Sequence, residues 1–219
     1  MSLFGKKLEL TFSVAILFAM NLIPIAGVYF FGWDVGTLLL LYWLETVIVG
    51  LFNIPKMLSC QGVAENSKSK MGLGGKLFLC AFFIVHFGGF SFGHYAFLGS
   101  FFDAVPPLIE LGKTLFSATG LLFATLGLLV SHLISMGINF YGKQEYKTRS
   151  PDTQMFIPYG RVVIMHVVII IGGALVQSFG APVLALILLV VLKIGIDLFA
   201  HGAEHQNLLQ KLDPAMVKP

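Results

Sequence analysis

The chain reads as an all-α, polytopic membrane helix bundle of about six transmembrane helices, and three observations predict it. Of its 219 residues 57% are hydrophobic and only 11% charged, with a mean hydropathy of +0.87, whereas soluble domains carry about 25% charged residues. Apolar runs of roughly 20 residues, the length that crosses a hydrocarbon core about 30 Å thick, recur along the whole sequence. Basic residues collect in alternate connections, the pattern that marks the cytoplasmic side of a membrane.

The first run, Leu10 to Phe31, follows Lys6 and Lys7 in the manner of a signal peptide. It exceeds the roughly 7 to 15 residues of a signal-peptide core and shows no small-x-small cleavage site, so it is retained as a helix. The others are Val35 to Leu58, Lys76 to Leu98, Lys113 to Tyr141, Arg161 to Phe179 and Pro182 to His205, each long enough to span. Glycines such as Gly88-Gly89, Gly172-Gly173 and Gly195 permit close helix approach. No extramembrane domain is expected, so residues 1–219 form a single transmembrane domain. The connector Ser59 to Gly75 is polar and Gly/Ser-rich, as a mobile link is. In Gly142 to Gly160, the stretch Ser150 to Tyr159 mixes apolar and turn residues and is expected to fold back against the membrane face.

Lys6, Lys7, Lys56, Lys68, Lys70, Lys76, Lys143, Lys147, Arg149, Arg161, Lys211 and Lys218 all fall on one side of this topology, and only Lys113 on the other. The expected location is therefore the cell (inner, cytoplasmic) membrane, multi-pass, with both termini cytoplasmic. The net charge of +3 reflects that topology, and nucleic acid is excluded as a partner class. Cys60 and Cys80 are too few for a disulfide framework. Oligomeric state is not encoded legibly.

Ionisable groups are costly in lipid and ask for a reason. Near the C-terminus Lys193, Asp197, His201, Glu204 and His205 fall at helical spacing in an otherwise apolar segment. At about 100° per residue one helix face carries Asp197, His201, Glu204 and His205, with Lys193 a turn away from Asp197. His201-Gly202-Ala203-Glu204-His205 is an HxxEH string, the reversed zincin helix in which two histidines bind a metal beside a carboxylate base. All six histidines lie in or at the ends of expected helices. His166, about 8 Å inside the cytoplasmic boundary, and His132 share the depth of His201 and His205. Glu45, His86 and Lys193 form a deeper, supporting polar stratum, and His94 stands toward the outer end.

Zinc in a catalytic site takes about three protein ligands and a water. His201 and His205 supply two, His166 the preferred third and His132 the next. Glu204 or Asp197 then accepts the proton of the bound water. Such a centre hydrolyses an amide or ester of a lipid or membrane peptide. The alternatives are a haem or redox protein with bis-histidine ligation, a proton or cation transporter using Glu45, His86, Lys193, Asp197 and His201, and a structural membrane protein. Lys193 pairing with Glu45 or Asp197 is the structural reading of those charges.

Two resemblances accompany these residues. The HxxxH spacing of His201 and His205 is similar in chemistry to membrane zinc hydrolases of the alkaline ceramidase and adiponectin-receptor type, but the seventh helix and the Ser-x-x-x-His motif of their second helix are missing. The whole chain resembles an uncharacterised prokaryotic family of six-helix membrane proteins of unknown function, on Tyr42-Trp43-Leu44-Glu45, Pro158-Tyr159-Gly160-Arg161 with His166, and Lys193-x-x-x-Asp197-x-x-x-His201-x-x-Glu204-His205. That resemblance implies an architecture and no activity.

Overall fold

The computed structural model describes residues 27, 29–64, 69–118, 120–163, 165–167 and 170–171. Among them the structure is all-α, without strands. Helix α1 is Val35–Ser59, and it starts where the Asp34 carboxylate accepts a hydrogen bond from the Thr37 backbone N–H at 2.8 Å, satisfying one of the free donors of a helix N-terminus. Helix α2, Leu73–Phe101, returns antiparallel to it. A short helix, α3 (Leu111–Ser117), precedes α4 (Leu121–Ser135), which widens into a π-helical turn at Met136–Gly142. Helix α5 is Pro151–Phe156, with proline at its first turn, where its missing N–H costs nothing. Residues 159–163 and 165–167 are again helical.

Among the described residues three helical segments, Val35–Ser59, Leu73–Phe101 and Leu121–Gly142, are long and apolar enough to cross a membrane, which supports a membrane protein. Their burial differs sharply: 72% of the most apolar window of α1 is buried, against 17% for α2 and 11% for the α4 segment. Helix α1 is therefore the central rod, and Leu38, Leu39, Leu40 and Leu41 are buried on all its sides. Close approach of α1 and α2 depends on Gly50, where a Cβ would overlap the Phe87 ring. The Trp43 indole N–H donates to the Ser91 carbonyl at 2.7 Å, and its ring lies 4.6 Å from that of Tyr95.

The expected span Lys113 to Tyr141 is interrupted. Gly120 adopts φ +79° between α3 and α4, a left-handed conformation that a residue with a side chain rarely takes, so the membrane-crossing segment begins at Leu121. The second connector folds back as its composition suggested. Its 145–149 portion receives hydrogen bonds from the far end of α1, Gln61 N–H to the Tyr146 carbonyl at 2.7 Å and Gly62 N–H to the Arg149 carbonyl at 3.0 Å. Helix α5 then packs on α1 and α2. At this junction burial pushes the Cys60 thiol up to about 11, so it is a protonated, poorly nucleophilic thiol at neutral pH.

Candidate functional site

Polar side chains from α1, α2, α4 and the 159–167 segment meet along the bundle, with Glu45 and His94 buried and His86 exposed. On α1, Glu45 lies ten residues from Val35, about 15 Å along the axis, close to the middle of a 25-residue helix. Its Oε1 accepts from the Arg161 guanidinium at 2.8 Å, and His132 Nε2 of α4 stands 3.7 Å from the same oxygen. Arg161, counted in the sequence among the cytoplasmic basic residues, is thus the partner of a carboxylate near the middle of α1. The apolar surroundings strengthen that pair and make either charge costly alone. The other basic residues of the same connector are Lys143, Lys147 and Arg149.

Five residues further along the same segment, His166 meets His94 of α2, Nδ1 to Nε2 at 2.8 Å with the two rings steeply inclined. His94, expected to stand alone toward the outer end, has its partner because the 159–167 segment runs alongside α2. About two turns below, His86 Nδ1 and the Tyr159 hydroxyl are 2.8 Å apart. The Tyr159 hydroxyl can donate to His86 Nδ1. Phe90 lies edge-on to both His86 and His166.

The hydrogen positions of the His94–His166 pair follow from their partners. His166 Nδ1 also contacts the Val162 carbonyl at 3.1 Å, and a carbonyl only accepts, which places the hydrogen on His166 Nδ1. His94 Nε2 then accepts from His166, and a neutral His94 carries its hydrogen on Nδ1. That nitrogen is buried with no hydrogen-bond partner. For His166 the same assignment leaves Nε2 with its lone pair, in the arrangement typical of a metal-binding histidine whose other ring N–H is held by a backbone carbonyl.

A second polar chain secures α5 to α1. Arg149 donates to Gln154 Oε1 at 3.0 Å, and Gln154 Nε2 donates to Asn53 Oδ1 at 2.7 Å, both amides being buried. This chain, Arg161 and Ser91 carried no weight as site residues in the sequence. Their signal was the presence of Glu45 and Asn53 in a largely apolar helix.

The structure therefore brings His166 to His94, His132 to Glu45 and His86 to Tyr159. Among the described residues no group of three or more His, Cys, Asp or Glu side chains is placed to hold a metal ion. Lys193, Asp197, His201, Glu204 and His205 lie outside the described residues. No curated protein and no solved structure matches the sequence. A family profile does match, over residues 5–213. The chain accordingly belongs to a family of unknown function, DUF6498.

Proposed function

We propose that this is a six-span membrane protein with both termini cytoplasmic, whose core houses a zinc-dependent hydrolytic centre for an amide or ester of a lipid or membrane peptide. The observation that carries the reading is the fixing of His166: its Nδ1–H is held by the Val162 carbonyl and by His94, which presents Nε2 as a metal donor. His201 and His205 are the proposed companion ligands, which requires the last helix to carry them deeper than the cytoplasmic end expected for them, since His166 is paired with His94; Glu204 or Asp197 is the proposed acceptor of the water proton. His132, beside Glu45 at 3.7 Å, is better suited to balancing that carboxylate than to ligation. Glu45, held by Arg161 at 2.8 Å, is a poor general base. The ring nitrogens of His94 and His166 bond to each other, so that pair does not bracket a haem iron.

Purified protein is expected to carry about one zinc per chain, and His166→Ala and His201→Ala each to lose it while circular dichroism stays helical. Zinc-free wild-type protein, after purification without chelators and resupply of zinc, would remove the reading. For the topology, cytoplasm-dependent reporters fused at either terminus are expected to be active and one inserted after Asp103 inactive.

A further inference from the structure

We propose that Ser91 Oγ–H and His94 Nδ1–H form a binding site for the carbonyl oxygen of a membrane-soluble ligand. The two residues stand one turn apart on one face of α2. They are 5% and 6% exposed, and among the described residues Ser91 Oγ and His94 Nδ1, both buried, find no hydrogen-bond partner. Four other helical hydroxyls, those of Thr46, Ser59, Ser100 and Thr125, each donate to the carbonyl four residues earlier. Ser91 had the same option and does not use it, while the Trp43 indole takes its backbone carbonyl.

Two such groups side by side in a low-dielectric interior represent an unmet demand for one acceptor. His94 arrives as a donor because His166 imposes its tautomer. A hydroxyl and a neutral imidazole N–H suit an uncharged oxygen, and the bilayer supplies such oxygens on lipophilic molecules. The surroundings are flat and aromatic, with the Trp43 and Tyr95 rings 4.6 Å apart. Access requires movement, since both atoms lie below the surface. Phe90, one turn before His94 and edge-on to His166 at 5.8 Å, is 40% exposed and is the ring whose rotation opens that face.

The chemistry is shared by quinones and by acyl esters of lipids, and two probes separate them. Full-length protein in micelles is titrated with decylubiquinone or with dioctanoylglycerol, each labelled with ¹³C at its carbonyls, and the labelled carbonyl stretch is followed by difference infrared spectroscopy. Saturable binding of at least one probe with a downshifted stretch is expected, weakened about tenfold or more by Ser91→Ala. His94→Gln, which keeps an N–H donor, should retain part of the affinity. Which probe binds identifies the source. Absence of binding by both, or binding indifferent to Ser91→Ala, overturns the proposal. The site does not require a metal on His166 Nε2, so zinc content measured on the same samples keeps its fate separate from that of the hydrolytic centre.

Discussion

Arg161→Met is expected to destabilise the folded protein by about 3 kcal/mol, the loss typical of stripping one partner from a buried ion pair. The variant leaves the Glu45 carboxylate in the apolar middle of α1 without the guanidinium that approached it at 2.8 Å. Glu45→Gln should cost less. Its amide oxygen can still accept from Arg161, whose side chain is 38% exposed and long enough to shift its charge toward more polar surroundings. Combining Glu45→Gln with Arg161→Met removes the stranded charge, so the double variant should be more stable than Arg161→Met alone. Unfolding in mixed micelles, followed by far-ultraviolet circular dichroism, completes the double-mutant cycle. Additive effects, with coupling below about 0.5 kcal/mol, would show that the two groups do not stabilise each other.

This pair also marks the limit of what the sequence displays. The apolar runs located α1 to within one residue and α2 to within three at each end, because crossing a bilayer imposes a length and a composition on consecutive residues. Val35 to Leu58 was expected and Val35–Ser59 is found; Lys76 to Leu98 was expected and Leu73–Phe101 is found. The break at Gly120 was hidden, since a left-handed glycine between two apolar stretches looks in composition like any helix glycine. The partner of Arg161 was hidden because a lone charge at the head of an apolar run is ambiguous between a loop and the interior. The Glu45 carboxylate answers it, but only once the 159–167 segment is laid against α1.

The candidate site divides in the same way. That histidines and acidic residues enter the bundle was legible, because each is conspicuous against its apolar neighbours. Their pairing was not. His94 looked isolated because no polar residue on its own helix answered it, and depth estimated from helix ends carries an error of a turn or more. The hydrogen bond to His166 depends on the register between two elements distant in sequence. Ser91 was still less visible: a helical serine is ordinary, and only the absence of its usual bond to the carbonyl four residues earlier makes it informative.

The attachment of α5 should respond to a single amide. Gln154→Ala removes the bridge between Arg149 and Asn53, leaving Asn53, 2% exposed, with its Oδ1 unpaired in addition to an Nδ2 that already lacks a partner. A buried acceptor stripped in this way costs about 1–3 kcal/mol, and the emptied side-chain volume adds to it. The cost falls on local opening of the 145–161 region, because α1 and α2 retain their own packing. Trypsin cleavage after Lys147 and Arg149 should therefore accelerate by about two orders of magnitude where it tracks the open population. Gln154→Glu makes the opposite test: its carboxylate can accept from Arg149 and, if the Asn53 amide turns over, from Asn53 Nδ2 as well. Cleavage of that variant should stay near the wild-type rate. Equal acceleration in both variants would mean that shape, and not hydrogen bonding, holds the segment. Because Tyr159 and Arg161 follow directly on α5, Gln154→Ala should also loosen the Arg161–Glu45 pair, lowering the coupling energy measured in the first cycle when that cycle is repeated in its background.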